Sequence, residues 1–123
     1  MRFAETDDSG GNLIQAYGPE GIRIGARTYR GGLIVTPGRI IADWGPIDSA
    51  GLSAEHLQAL IDLNPELIVL GTGATQVFPD PSFYAAALER RIGLETMDTA
   101  AACRTYNILM AEGRLVVAGL LPL

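Results

Sequence analysis

A short glycine-containing loop follows the most apolar run of the sequence and is the first candidate for a binding site. Gly71, Thr72 and Gly73 come directly after residues 66–70. Glycines here would let the backbone approach an anion, and ligands in open α/β sheets bind beyond the carboxyl ends of strands. A dinucleotide-binding loop needs a third glycine where Gln76 stands, so the pattern is equally typical of a tight turn off a buried strand.

The second group of candidates surrounds a predicted helix that begins at Thr99. Asp98 precedes the helix as its N-cap, Glu95 lies just upstream, and Arg104 and Asn107 share one flank of its apolar face. This pattern suits a carboxylate or phosphate ligand, because an arginine can grip such groups in a bidentate way. The other interpretation, which we favour, is that Arg104 pairs with Glu95 or Asp98 and that Asn107 holds a loop in place.

The other side chains with reactive groups are predicted to be structural. The helix dipole lowers the pKa of a thiol most in the first turn, and Cys103 lies beyond that turn. We therefore favour the interpretation that Cys103 acts as a small buried hydrophobe. His56, the sole histidine, falls off the apolar stripe of its helix and is expected at the surface, whereas Trp44 is expected in the core. One cysteine and one histidine cannot supply the usual zinc ligand sets, so neither a metal nor a cofactor is expected.

The charged residues exclude several classes of function. The 123 residues include nine Arg, no Lys and 14 acidic residues, for a net charge of −5. A chain without lysine cannot form a Walker-type phosphate loop or a Schiff base, and scattered arginines on an acidic chain argue against nucleic-acid binding. The longest apolar stretch, residues 115–123, is too short for membrane insertion. Residues 1–8 are acidic and lack the apolar region of a signal peptide, so a cytoplasmic location is expected.

The pattern of apolar residues changes near residue 50. Short β-rich runs separated by glycine and proline turns predict an antiparallel meander over residues 13–17, 21–24, 29–36 and 39–44. Helices and strands then alternate, with helices after Ser53, Asp80 and Asp98 and strands at 66–70, 93–97 and 114–121. The prediction is a single α/β domain, bordering on α+β, over residues 1–123, in which helices pack against a mixed central sheet.

Two blocks of the sequence together resemble a known family. They are LGTG at residues 70–73 and ETMDTAAACRTYNILMAEGRLVVAGLL at residues 95–121, and LIVTP at 33–37 and the WGP at 44–46 also fit. The chain resembles the small-domain family that includes mitochondrial respiratory complex I assembly factor 3 and a human adipogenesis-associated domain protein. The resemblance implies a compact layered domain with a mixed sheet. It implies no reaction, cofactor or catalytic residue that could be carried over.

Two hypotheses about function follow. The first is a non-enzymatic interaction protein that holds a partner protein through a sheet edge or a helix surface, as the resemblance to an assembly factor implies. The second is a small-molecule-binding or enzymatic domain whose cleft lies between residues 71–73 and the helix starting at Thr99, lined by Thr72, Glu95, Arg104 and Asn107. We favour the first because no catalytic set is recognisable. The identity of the partner and the oligomeric state stay open.

Overall fold

The computed structural model describes residues 11–123, which form two β-sheets and three α-helices. The acidic residues 1–8, and the expectation that they form no signal peptide, lie outside the described residues. The smaller sheet is an antiparallel meander of β1 (Ile14–Gly18), β2 (Gly21–Ile24) and β3 (Arg27–Tyr29). The predicted N-terminal meander is therefore confirmed for these strands.

The larger sheet has five strands and contains both parallel and antiparallel pairs. It consists of β4 (Leu33–Thr36), β5 (Arg39–Ala42), β6 (Leu67–Gly71), β7 (Gly93–Met97) and β8 (Val116–Leu120). The spatial order is β5-β4-β8-β6-β7, with β4 antiparallel to both of its neighbours and β6 parallel to both of its own. The predicted mixed central sheet is confirmed.

The chain changes sheets in the segment that was expected to be one strand. Residues 29–36 were predicted as a continuous run, but β3 ends at Tyr29 and β4 begins at Leu33. At Gly32 the backbone passes so close to the Trp44 carbonyl that any side chain would collide with it, and the Trp44 amide donates to the Gly32 carbonyl at 2.9 Å. The prediction of a single strand is wrong because the glycines carry the chain from one sheet to the other.

The helices begin where the capping residues predicted. Helix α1 (Ala54–Ile61) follows Ser53, α2 (Pro81–Glu89) follows Asp80, and α3 (Thr99–Ala111) follows Asp98. The two aspartates accept hydrogen bonds from backbone amides in the first turns of their helices, as N-cap carboxylates do. Within residues 11–123, no helix is both long enough and apolar enough to cross a membrane.

The larger sheet is covered on both faces, which accounts for its apolar strands. Ile68 and Leu70 of β6 pack with α1 and α2 in one core cluster, whereas Val69 between them packs with α3 and the smaller sheet in the other. A strand buried on both faces needs apolar residues at successive positions rather than alternate ones. The prediction that β6 is such a strand is confirmed.

The strand register brings several chain segments to one edge of the larger sheet. Ala42 pairs with Leu33, Leu33 with Leu120, Leu120 with Gly71, and Gly71 with Met97. The segments that follow β5, β6, β7 and β8 therefore all leave the sheet at this edge, which we call the carboxyl edge. It contains the candidate loop at residues 71–73 and the start of α3.

Candidate functional site at the carboxyl edge

A buried hydroxyl joins three segments at the carboxyl edge. Thr99 is fully buried, and its Oγ1 accepts a hydrogen bond from the Gly73 amide at 2.9 Å and donates one to the Leu121 carbonyl at 2.8 Å. The Thr99 amide in turn donates to the Gly73 carbonyl at 2.8 Å. Thr99 therefore connects the loop after β6, the start of α3 and the segment after β8.

The glycine and threonine before this connection are also held by protein atoms. A β-carbon at Gly71 would lie 2.9 Å from both Cα and Oγ1 of Thr99, so only glycine allows α3 to approach the strand this closely. Thr72 is buried, its amide donates to the Met97 carbonyl at 2.8 Å, and its hydroxyl donates to the Thr75 carbonyl at 2.7 Å. The structure thus brings Gly71, Thr72 and Thr99 together, and the hydroxyls of the two threonines bond to backbone atoms of the protein.

The two candidate carboxylates both precede the start of α3 in the chain. Asp98 is half-buried, and its Oδ1 accepts from the Ala101 amide at 2.8 Å. Glu95 is exposed on β7, the edge strand that pairs with β6 through Val69. Asp98 thus acts as the N-cap of α3, and Glu95 faces solvent.

Arg104 contacts an aromatic residue of the smaller sheet. Its Nη1 donates to the Tyr17 hydroxyl at 2.8 Å, and its Cζ lies 6.0 Å from the centre of the Tyr17 ring. Within residues 11–123 it forms no salt bridge with Glu95 or Asp98, so the expected pairing with either carboxylate is wrong. The hydrogen bond to Tyr17 raises the pKa of Arg104, which stays a fixed, exposed cation.

Asn107 binds a strand rather than the loop that was expected. Its Nδ2 donates to the Ile14 carbonyl at 2.8 Å, and its Oδ1 accepts from the Ile14 amide at 2.9 Å. The side-chain amide therefore takes the place of a strand neighbour where the β1–β2 register shifts. The preceding residue, Tyr106, donates from its hydroxyl to the Asn12 carbonyl at 2.7 Å. We call the contacts of Arg104, Tyr106 and Asn107 with the segment at residues 12–17 the α3–β1 junction.

The remaining reactive side chains have structural environments. Cys103 is fully buried, and burial raises the pKa of its thiol to about 12, although nearby Arg104 opposes the shift, so the predicted buried hydrophobe is confirmed. Trp44 is buried as expected and donates from Nε1 to the His56 carbonyl at 3.2 Å. His56 is half-buried rather than solvated, because its Nδ1 accepts from the Ser53 amide at the start of α1.

An apolar groove also opens at the carboxyl edge. It has a volume of about 330 Å³ and lies between the segment after β5 and the segment after β6, with the first turn of α2 at its end. Its lining residues are Ser49, Ala50, Leu52, Val77, Phe78, Pro79, Asp80 and Phe83. We call this feature the carboxyl-edge groove.

Two large apolar side chains stand in solvent at the carboxyl edge. Phe78, in the groove lining, is 72% exposed, and Ile47, in the segment after β5, is 87% exposed and lines a separate, smaller cavity. Sequence reasoning did not select either residue, because both lie in segments without helical or strand periodicity. The available signal was a large apolar residue beside proline outside the predicted helices and strands, at Pro46-Ile47 and Phe78-Pro79.

A larger cavity of about 380 Å³ lies at the opposite edge of the sheet. It is lined by residues 36–39, 62–65 and 115–117, and its charged side chains are one arginine, Arg39, and one carboxylate, Asp62. Within the part of the chain that the structure describes, no three His, Cys, Asp or Glu side chains are grouped to hold a metal ion. The carboxyl edge remains the better candidate, since the predicted residues Gly71–Gly73, Asp98 and Thr99 lie there together with the exposed apolar residues Ile47 and Phe78.

Known proteins match this chain over nearly its whole length. Residues 14–121 match the family described as protein of unknown function (DUF498/DUF598). A zebrafish (Danio rerio) protein named NADH dehydrogenase (ubiquinone) 1 alpha subcomplex assembly factor 3 is 34% identical over 124 residues, which cover 99% of this chain and 71% of that protein.

Solved structures show the same fold. The crystal structure of a Bordetella parapertussis protein has a TM-score of 0.84 at 39% identity and covers 90% of this chain and 95% of its own. The solution structure of a Bordetella pertussis protein described as an Mth938-like domain also has a TM-score of 0.84, at 31% identity, and covers 99% and 92% of the two chains. Sequence and fold agree with the resemblance seen in the motifs, and this chain belongs to the DUF498/DUF598 family.

Proposed function

We propose that this chain is a non-enzymatic protein-binding domain that works as an assembly factor by holding a partner protein. The observation that carries the proposal is the exposure of large apolar side chains, Ile47 and Phe78, at the carboxyl edge. Exposed apolar groups of this size are typical of protein interaction sites, and Phe78 also lines the carboxyl-edge groove. The zebrafish relative named as a complex I assembly factor supports the same role.

The internal hydrogen bonds of the predicted cleft support this choice. The hydroxyls of Thr72 and Thr99 and the amide of Gly73 bond to protein atoms, and Asn107 bonds to the backbone of Ile14. A ligand would have to replace these bonds to use the same groups. Their arrangement favours a structural role over ligand binding.

The proposal also covers domain organisation, location and the class of partner. We propose a single domain over residues 1–123 and a cytoplasmic location. The partner is a protein rather than a nucleic acid, because the net charge of −5 would repel a phosphate backbone. The proposal involves no cofactor or metal ion.

A second candidate function is the binding of a carboxylate or phosphate compound near Arg104. One observation favours it: the Arg104 guanidinium is exposed and is held against Tyr17. The side chain would therefore lose less conformational entropy when it binds a ligand. The compound would lie near the start of α3, with Gly71, Thr72, Gly73, Glu95, Asp98, Thr99 and Asn107 around it. Arg104→Lys should then weaken binding of that compound, because a lysine cannot reproduce the planar bidentate contact.

Quantitative co-purification of the tagged full chain from its native cells tests the two candidates against each other. The bait is expressed at its natural level, and an unrelated acidic domain of similar size is the control bait. We expect a protein enriched over the control that stays bound through size-exclusion chromatography. Native mass spectrometry of the same material reports small ligands. A bound anionic compound without any enriched protein would contradict the proposal and favour the second candidate.

A further inference from the structure

We propose that the carboxyl-edge groove binds a basic, apolar peptide segment of the partner protein, an inference that rests on the proposed function. Such a segment places a large apolar side chain beside Phe78 and sets lysine or arginine side chains against the carboxylates that flank the groove. The apolar lining, the charges of the two walls and the consequences of self-association each point to this occupant.

The apolar lining has a buried part and an exposed part. Phe83 of α2 is buried in the groove lining and packs in the core with α1, whereas Phe78 and Val77 are exposed. A ring in solvent beside a buried one offers a partner an apolar surface that the rest of the protein holds in place. Aromatic side chains in such positions commonly contribute most of the binding energy of an interface.

The walls of the groove carry charge of one sign. One wall comes from the segment at Ser49–Leu52 and the other from the segment at Val77–Asp80. Asp80 is the charged residue of the lining, Asp48 directly precedes Ser49, and neither arginine nor lysine is among the lining residues. None of the eight arginines within residues 11–123 lines the groove, so a partner segment meets a negative surface and must be cationic to match it.

The two carboxylates nearest the groove are held in fixed positions. Asp48 accepts a hydrogen bond from the Ala50 amide at 3.1 Å, and Asp80 accepts one from the Ser82 amide at 2.9 Å. The bond from Ser82 also keeps the pKa of Asp80 below its ordinary value of 3.8, so its charge persists at neutral pH. Fixed anions on either side of an apolar groove define where the cations of the bound segment must lie.

A second copy of this chain fits the groove less well than a basic segment. In a two-fold symmetric dimer the same patch meets itself, which would bring Asp48 and Asp80 of one copy against those of the other. Like charges placed opposite each other oppose association. A lysine-rich or arginine-rich segment of another protein has no such conflict.

Peptide display on the immobilised full chain tests this inference. Random dodecapeptides are selected for binding, and the enriched peptides are synthesised and titrated by fluorescence anisotropy. Phe78→Ser removes the exposed ring, and the double variant Asp48→Asn, Asp80→Asn removes both charges while each asparagine oxygen can still accept the same backbone hydrogen bond. Ile108→Ser and Glu112→Gln are matched controls, because both positions are exposed near the carboxyl end of α3.

We expect enriched peptides with a large apolar residue flanked by basic residues. Phe78→Ser should weaken their binding by about tenfold or more, and the double variant should weaken it and reduce its dependence on salt. Both controls should bind like the unchanged protein. Because Phe78 is exposed, its loss should leave the fold intact, and urea unfolding checks this. Val77→Ser, at an exposed position of the same lining, provides a second variant.

Several outcomes would overturn the inference. They are the enrichment of peptides without basic residues, equal binding to Phe78→Ser and Ile108→Ser, the absence of any enriched peptide, and a Phe78-dependent dimer in sedimentation. In each case, recovery of a partner by co-purification would still support the proposed function, but the partner would bind a different surface of the protein. Failure to recover any partner would instead count against the proposed function itself.

Discussion

The α3–β1 junction and the carboxyl-edge groove use their side chains in opposite ways. In the junction, Arg104, Tyr106 and Asn107 each direct a polar group at the segment that precedes or forms β1. In the groove, Phe78 places an apolar ring in water, and within residues 11–123 neither Asp48 nor Asp80 forms a salt bridge. The junction is closed by its own hydrogen bonds, whereas the groove leaves surface that another molecule could bury.

This difference shows that the residues with reactive or charged side chains need not form the binding surface. Arginine, asparagine, tyrosine and cysteine at residues 103–107 form the most distinctive motif of the sequence, yet they attach the smaller sheet to α3 and fill the core beneath it. The groove is made by two irregular segments without a motif. The comparison predicts that substitutions in the junction change stability and that substitutions in the groove change binding.

Removing the Tyr106 side chain should have the largest effect on stability. A small effect would contradict the structural role that we assign to the junction. The ring is fully buried, so Tyr106→Ala should leave a cavity and lower the free energy of unfolding by about 4 kcal/mol. Urea unfolding followed by circular dichroism measures the loss.

The conservative variant Tyr106→Phe separates packing from hydrogen bonding. It keeps the ring but loses the bond to the Asn12 carbonyl, and the expected cost is about 1 kcal/mol. A loss below about 1 kcal/mol for Tyr106→Ala would show that α3 does not depend on this contact, and the description of the junction would be wrong.

Thr99→Val should have the next largest effect, because it removes the hydroxyl that connects three segments while nearly preserving the shape of the side chain. The buried Gly73 amide and Leu121 carbonyl would each lose a partner. The expected decrease in unfolding free energy is about 2 to 3 kcal/mol, measured by urea titration. Thr99→Ser keeps the hydroxyl and should cost about 1 kcal/mol, so equal losses for the two variants would argue against the hydrogen-bonded connection.

Most elements of the fold were predictable because their signals are local. Asp98 caps α3 by accepting a hydrogen bond from an amide only three residues along the chain. The continuous apolar run of β6 indicates that both faces of the strand are buried. A helix end or a buried strand depends on neighbours within a few positions, so a single sequence contains the information. These predictions were confirmed.

The contacts that join distant segments were not predictable in this way. Asn107 binds Ile14 across 93 positions of the chain, and nothing in the spacing around Asn107 indicates a strand as its partner. Arg104 likewise contacts Tyr17 rather than the nearby carboxylates. The groove depends on the register that brings the segments after β5 and β6 to one edge, and that register depends on packing of the complete sheet.

The Cys103 thiol gives a smaller, pH-dependent test of how well the junction is closed. Burial raises its pKa from 9.0 to about 12, so the unfolded chain loses the thiol proton before the folded chain does. The stability associated with the neutral thiol is therefore present below pH 9.0 and is lost as the pH rises towards 12. Between about pH 8 and about pH 10, the protein should lose roughly 1 kcal/mol more stability than Cys103→Ala does.

Urea titrations of both proteins at the two pH values measure this difference. Labelling of the folded protein with a thiol reagent should be slow at neutral pH and should become fast in urea. Equal losses of stability in the two proteins, or rapid labelling of the folded chain, would show that water reaches Cys103 and that the core beneath the junction is open.

Phe78→Ser should have the smallest effect on stability and gives the sharpest test of the comparison. The ring is mostly in solvent, so its removal should change the free energy of unfolding by less than about 0.5 kcal/mol, in contrast to the buried ring of Tyr106. Urea unfolding of Phe78→Ser beside the matched variant Ile108→Ser measures both changes under the same conditions. A loss above about 1 kcal/mol for Phe78→Ser alone would mean that the ring stabilises the fold. The groove would then resemble the junction, with its apolar residues used within the molecule and no surface kept free for a partner.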